Sequence, residues 1–95
     1  MSKTADITVF VPTPLRRHCN GRPELTLHAF DVRALLQQSE EEYPKVHEGV
    51  CDETGKVRRH MNFFVNKEHM QEYDGVDTSL RNGDVVTIMT AVSGG

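Results

Sequence analysis

The C-terminal stretch from Asp84 to Gly95 constrains the fold of this chain more than any other part of the sequence. Val85 to Met89 is a run of β-branched and apolar residues with one threonine, a composition typical of a half-buried strand. The preceding Asn82-Gly83-Asp84 has the composition of a turn, in which the glycine can adopt positive φ. After Val92 no bulky side chain follows. The pattern therefore predicts a strand that continues into a slender tail.

This expected tail consists of Ser93, Gly94 and Gly95, and at about 3.3 Å per residue it can extend about 10 Å beyond the fold. A tail without bulky side chains can enter a narrow tunnel and present its terminal carboxylate to chemistry inside another protein. Chain ends rich in glycine and serine are also common as frayed termini. The residues alone leave these two interpretations open.

Length and charge restrict the classes of protein to consider. The 95 residues suffice for one small domain, and the formal net charge of -3 gives no basic excess for binding nucleic acid. No apolar run is long enough to span a bilayer, and no signal-peptide core follows the first residues. We therefore expect a cytoplasmic protein without nucleic-acid or membrane partners. Cys19 and Cys51 lack C-x-x-C spacing, which favours two free thiols, although a disulfide between them stays open.

The first half of the chain predicts a hairpin and a helix. Asp6 to Val11 alternates as a strand that ends at Pro12, the polar stretch from Leu15 to Gly21 reads as a connection, and Leu25 to Ala29 pairs back. Asp31 is a suitable N-cap for a helix that ends at Pro44. One face of that helix carries Val32, Leu35, Leu36, Ser39 and Tyr43. The opposite, solvated face carries Gln37, Gln38, Glu40, Glu41 and Glu42.

In the second half we predict a polar loop region from Lys45 to Arg59. Strand character resumes at its end, from Arg58 to Val65. A turn at Asn66-Lys67-Glu68 and irregular structure from Met70 to Leu80 should follow, with a short helical turn at Thr78-Ser79-Leu80.

Two apolar side chains are expected on the outer face of the sheet. Phe64 alternates against the inward-facing residues of its strand, and Met89 does the same in the last strand. Together they can form a small exposed patch near the tail, as partner surfaces often do. The alternative, that a loop covers Phe64, stays open.

The resulting order of elements is strand, strand, helix, strand, minor elements, strand. It predicts an α+β fold of the β-grasp (ubiquitin-like) kind, with a mixed sheet of four to five strands and one main helix on one face. We expect residues 1–92 to form this domain and residues 93–95 to form the protruding tail.

This order, with the ending Asp-x-Val-Thr-Ile-x-x-Ala-Val-x-Gly-Gly, resembles the ThiS/MoaD family of ubiquitin-like sulfur carriers. The matching residues are Asn82-Gly83-Asp84, Val86-Thr87-Ile88, Ala91-Val92 and Gly94-Gly95. Pro12-Thr13-Pro14-Leu15-Arg16 and Phe63-Phe64-Val65-Asn66 also match, and the first of these is similar to the cysteine-biosynthesis (CysO-like) branch. The chain departs from the family at Thr90 and Ala91, where proline is common, and at Ser93, where alanine is common.

The resemblance implies a carrier, not an enzyme. A ubiquitin-activating-type partner, using ATP and Mg, would adenylate the carboxylate of Gly95, and a sulfur donor would convert it to a thiocarboxylate. Val92, Ser93 and Gly94 would be the part of the tail needed for activation, and Phe64 with Met89 the partner-binding patch. No cofactor would be bound permanently, and the free protein would be a monomer. Some relatives are trimmed after Gly-Gly by a metalloprotease, and whether Gly95 is an encoded or a processed end stays open.

Several acceptors fit the resemblance. The Pro-Thr-x-Leu-Arg segment favours a PLP-dependent, cysteine synthase-like enzyme, while thiamine thiazole formation, the small subunit of molybdopterin synthase and tRNA thiolation stay open. Two further classes of protein also stay open, namely a ubiquitin-like modifier that forms isopeptide conjugates and an inert β-grasp interaction module.

An autonomous enzyme or metal site has little support in the residues. The five histidines and two cysteines show no paired ligand spacing, and no phosphate-binding loop or nucleophile elbow is present.

Overall fold

The structure, a computed structural model, describes residues 5–70 and 73–90. In chain order its strands are β1 (Asp6–Phe10), β2 (Glu24–His28), β3 (Met61–Val65), β4 (Glu68–His69) and β5 (Val85–Thr90). They form one five-stranded sheet with the order β2-β1-β5-β3-β4. The predicted hairpin and the predicted mixed sheet are both confirmed.

The last strand lies in the middle of the sheet. β5 pairs in parallel with β1, where Val86 lies opposite Val9, and antiparallel with β3, where Ile88 lies opposite Phe63. Thr90, the last described residue, is still paired with Met61. β5 is therefore a central strand in which Val85 to Thr87 are paired on both sides, whereas Ile88 to Thr90 are paired with β3 alone.

Asn66 anchors the start of β5. Its backbone N–H donates to the Val85 carbonyl over 2.7 Å, and its side-chain oxygen accepts from the Val85 N–H over 3.1 Å. The backbone of Asn66 has a φ of 58°, a left-handed conformation that asparagine tolerates better than most residues. The turn after β3 and the beginning of β5 are thus joined by side-chain as well as backbone hydrogen bonds.

The predicted helix is confirmed as α1 (Val32–Glu42). The Asp31 carboxylate accepts from the Ala34 N–H over 2.8 Å, as expected for an N-cap. Tyr43 leaves the helical region, with φ -137° and ψ 64°.

The prediction of a loop from Lys45 to Arg59 is wrong in its first part, because a helix, α2 (Pro44–Val50), begins directly after α1. Pro44 ends one helix and also begins the next, since the first helical position needs no N–H donor. The burial of Val46 and Val50, four residues apart, supplies the packing that stabilises this short helix.

Two short 3-10 helices also differ from expectation. The connection predicted at Leu15 to Gly21 lies largely within a 3-10 helix from Thr13 to Cys19. The helical turn expected at Thr78-Ser79-Leu80 occurs earlier, at Gly75–Asp77. Thr78 is buried and ends that turn, and its hydroxyl donates to the Gly75 carbonyl over 2.6 Å.

The hydrophobic core lies between the helices and the inner face of the sheet. The strand residues expected to face inward are buried, and on the predicted face of α1 so are Val32, Leu35 and Leu36, whereas Ser39 and Tyr43 are half-buried. These buried side chains, joined by two from α2, are Ile7, Val9, Leu25, Leu27, Val32, Leu35, Leu36, Val46, Val50, Met61, Phe63, Val65, Val86 and Ile88. Within the described ranges, no helix is long and apolar enough to span a membrane.

We predict that Phe63→Ala lowers the free energy of unfolding by about 3–5 kcal/mol, because Phe63 is fully buried and its removal leaves a cavity beside β5. Phe30→Ala is the matched control and should change that free energy by about 0.5 kcal/mol, since the Phe30 residue is 53% exposed. Urea unfolding followed by circular dichroism measures both. Equal losses in the two variants would contradict the placement of the core.

Candidate functional site

The candidate site is the outer face of the sheet beside the C-terminal end of β5. The described residues do not include the part of the chain predicted to be needed for activation, which is Val92, Ser93, Gly94 and Gly95. The boundary between a domain of residues 1–92 and a tail of residues 93–95 stays a prediction. The structure describes the strand that precedes these residues, which ends at Thr90, opposite Met61 of β3.

Phe64 and Met89 lie on the same outer face. Phe64 is paired with Thr87, and Met89 is paired with Asn62 in the same antiparallel ladder, so the two apolar residues are diagonal neighbours. Met89 is 51% exposed, whereas Phe64 is half-buried. The structure therefore brings together the two predicted patch residues, while their role in partner binding stays a prediction.

A group on the edge strand partly covers Phe64, and a contribution from a loop stays a prediction. The His69 ring packs edge-on against the Phe64 ring, with centroids 5.3 Å apart and planes at 75°. His69 Nε2 also lies 3.0 Å from Asn62 Oδ1. These contacts hold the Phe64 side of the patch in place and leave Met89 as its most exposed member.

Phe10 extends the patch across β5 and was missed in the sequence analysis. It lies opposite Thr87 on the β1 side and is 37% exposed. The outward position of Phe10 in its strand was recognisable from the alternation, but its proximity to Met89 depends on the parallel pairing of β1 and β5. Phe10, Phe64 and Met89 surround Thr87, and we call these three apolar residues the open-face patch.

A groove of about 420 Å³ adjoins this patch at the end of β5. Its walls come from the end of β1, the following 3-10 segment and the last four described residues of β5. The lining residues are Phe10, Val11, Pro12, Thr13, Pro14, Arg16, Thr87, Ile88, Met89 and Thr90. The groove thus lies directly beside the point at which the chain continues toward the tail, and Arg16 is a cation at its wall.

The thiols do not belong to this face. Cys19 and Cys51 are both free and buried, so the interpretation as two unpaired thiols is confirmed. Burial, together with the neighbouring Asp52 charge, raises the pKa of Cys51 from 9.0 to about 11. Among residues 5–70 and 73–90, no three His, Cys, Asp or Glu side chains are grouped to hold a metal ion.

The arrangement is that of a ubiquitin-like protein: a β-grasp sheet, helices on one face and a central last strand that continues into a Gly-Gly ending. The chain matches the ThiS family over residues 17–95 and belongs to that family. This confirms the relationship to ThiS/MoaD proteins that the C-terminal motif indicated.

Sulfur carriers of the CysO-like branch are among the similar proteins. Sulfur carrier protein CysO of Mycobacterium tuberculosis is 34% identical over 92 residues, which is 95% of this chain and 99% of the relative. The crystal structure of M. tuberculosis CysO superposes with a TM-score of 0.82 at 33% identity, covering 90% of this chain and 99% of that one. A BexX/CysO complex from Amycolatopsis orientalis gives a TM-score of 0.83 at 29% identity over 94% of this chain and 99% of the matched chain. Small archaeal modifier protein 1 from Methanosarcina acetivorans gives 0.82 at 26% identity, with 99% of this chain and 100% of that chain covered.

The raised pKa of Cys51 predicts a decline of stability at alkaline pH. The folded state holds this thiol proton more firmly than the unfolded chain does, so the contribution is fully present below pH 9.0 and is lost as the pH rises toward about 11. Urea unfolding at a series of pH values should show a steeper alkaline decline in the wild-type protein than in Cys51→Ala. Cys19→Ala, the matched control, keeps Cys51 and should follow the wild type; parallel curves for all three proteins would contradict the assignment.

Proposed function

We propose that this protein is a sulfur carrier whose terminal glycine, Gly95, is converted to a thiocarboxylate and delivers sulfur to a biosynthetic enzyme. The observation that carries the proposal is the end-to-end match to sulfur carrier protein CysO, at 34% identity over 92 residues. The position of β5 supports it, since this strand is central in the sheet and stays paired with β3 as far as Thr90, which gives the tail an anchored base. The protein supplies binding and reach, and its partners supply the catalysis.

The chemistry begins at a carboxylate, which is a poor electrophile. An adenylating partner of the ubiquitin-activating type would transfer AMP from ATP, with Mg bound to the nucleotide, onto the Gly95 carboxylate and release pyrophosphate. Sulfide from a donor would then attack the acyl carbon and displace AMP, leaving a thiocarboxylate at the end of the chain. The sulfur is now a polarizable anionic nucleophile that reaches its acceptor without being released as free sulfide.

The acceptor we propose is a PLP-dependent, cysteine synthase-like enzyme or a related enzyme that makes a sulfur-containing metabolite. The CysO relationship and the Pro12-Thr13-Pro14-Leu15-Arg16 segment support this choice over the thiamine, molybdopterin and tRNA routes. A metalloprotease would be a further partner if the terminal Gly-Gly has to be exposed by processing. Cytoplasmic location follows from the same proposal, since all these reactants are intracellular metabolites or enzymes.

Conjugation to other proteins is the second candidate. It is favoured by the similarity to small archaeal modifier protein 1, which has a TM-score of 0.82 over 99% of this chain. In that case a lysine amine would attack the same activated Gly95 and form an isopeptide bond. Both candidate functions require activation of Gly95. They differ in the nucleophile that attacks it, which is sulfide for the sulfur carrier and a lysine amine for the modifier.

Intact-mass spectrometry tests the proposal directly. The chain is incubated with a CysO-type adenylating enzyme, ATP, Mg and sulfide, and the expected product has one oxygen of Gly95 exchanged for sulfur. Gly94→Ala should react at least about tenfold more slowly, because a Cβ crowds a narrow tunnel and restricts the backbone. Ser93→Ala, the matched control, should react at the wild-type rate, since family members often carry alanine there.

Two results of that assay would contradict the proposal. Wild-type protein that keeps its mass with every adenylating enzyme tried would exclude tail activation. Heavier lysine-linked species in place of the thiocarboxylate would assign the chain to the modifier class.

The open-face patch generates a separate prediction. Met89→Asp should raise the KM of the adenylating enzyme for this carrier about tenfold or more, because it places a charge in the centre of an apolar contact. Stability should change by only about 0.5 kcal/mol, given that Met89 is half exposed. Phe30→Asp is the matched control, because Phe30 is 53% exposed and follows β2 at the end of the sheet remote from Thr90. Similar KM values for Met89→Asp and Phe30→Asp would exclude the open-face patch from the interface.

A further inference from the structure

The segment between β1 and β2 carries a local positive charge in an acidic protein. From residue 12 to residue 23 it contains Arg16, Arg17 and Arg22 and no carboxylate, whereas the whole chain has a formal charge of -3. None of these three arginines forms an ion pair with another residue of the described ranges. Their charge is therefore available to a partner.

Arg16 is the member of this segment that is held in a defined position. Its Nε donates to the Val11 carbonyl over 2.9 Å, which orients the guanidinium at the wall of the groove. The preceding Leu15 packs against α2 at Gly49, where a Cβ would overlap the leucine side chain. The absence of a side chain at Gly49 thus lets the 3-10 helix lie close to α2, and this contact supports the position of Arg16.

Arg16 shares its groove with exposed apolar side chains. Arg16, Phe10, Met89 and Thr90 line one groove, so a cation, two exposed apolar side chains and the end of the tail-bearing strand meet in one place. A partially desolvated guanidinium binds a carboxylate with two parallel hydrogen bonds, which gives orientation as well as affinity.

We propose that Arg16 determines the specificity of this carrier for its adenylating enzyme by pairing with an acidic side chain that flanks an apolar contact on that enzyme. The inference rests on the proposed function and names the chemistry of the partner surface. A carboxylate on a protein fits better than a phosphate polymer, because the chain as a whole is negatively charged and would be repelled by nucleic acid. The pairing would position the tail relative to the active site and would speed encounter at low ionic strength.

Steady-state adenylation kinetics with a CysO-type adenylating enzyme test this inference, using Arg16→Glu, Arg16→Lys and Arg81→Glu at about 50 mM and about 300 mM NaCl. Arg16→Glu should raise KM for the carrier about tenfold at low salt with kcat nearly unchanged, since the pairing acts on binding. Arg16→Lys keeps the charge but loses the two parallel hydrogen bonds, so its KM should rise by about threefold, less than that of Arg16→Glu. Arg81→Glu makes the same charge change in the turn before β5, remote from Thr90, and should stay within about twofold.

Salt dependence separates a charge effect from a structural one. The wild-type KM should rise between the two salt concentrations, and the KM of Arg16→Glu should rise less or fall, because the attractive pair is gone. Equal KM values for Arg16→Glu and Arg81→Glu, or equal losses in Arg16→Glu and Arg16→Lys, would overturn the inference while leaving the thiocarboxylate assay intact. A wild-type chain that the enzyme does not adenylate at all would overturn the proposed function and the inference together.

Discussion

The parallel pairing of β1 with β5 is the interaction on which the rest of the structure depends. It joins the first and last strands of the described chain, places Val9 opposite Val86, and leaves β3 to pair with the other edge of β5. As a result the last strand is central in the sheet, paired with β1 as far as Thr87 and with β3 as far as Thr90. A tail that continues from such a strand begins next to a residue that is paired within the sheet, and a fixed starting point suits a terminus that has to reach into another protein.

The inner and outer faces of the sheet differ in how far their apolar side chains are buried. The inner face packs against α1 and α2 and contains the buried residues that stabilise the domain. The outer face keeps Phe10, Phe64 and Met89 near the end of β5, although exposed apolar side chains contribute little to stability. In our proposal this face is a contact surface, because its three apolar residues lie around Thr87 next to the tail-bearing end of the strand. The segment from Thr13 to Cys19 then adds a cation at the border of the same surface.

The predictions from sequence succeeded where a short-range pattern carried the information. Period-two alternation identified the inward residues of β3 and β5, and Asp31 with the spacing of Val32, Leu35 and Leu36 identified α1. The prediction failed at α2, where Pro44 was taken only as a helix stop, although Val46 and Val50 had the spacing of a buried helical face. A helix of seven residues has weak propensity signals, and its stability comes from packing against the rest of the fold.

By itself the sequence determined the class of fold, which strand residues face inward and which face outward, and the Gly-Gly ending that lies within the match to the ThiS family. These features are local, because side-chain period and turn chemistry are properties of neighbouring residues. Only the tertiary structure decided that Phe10 and Arg16 join Met89 at one groove beside the end of β5. Phe10 and Arg16 come close to Met89 because β1 and β5 pair in parallel and because Gly49 lets the 3-10 helix lie against α2. Neither contact can be predicted from a local sequence pattern.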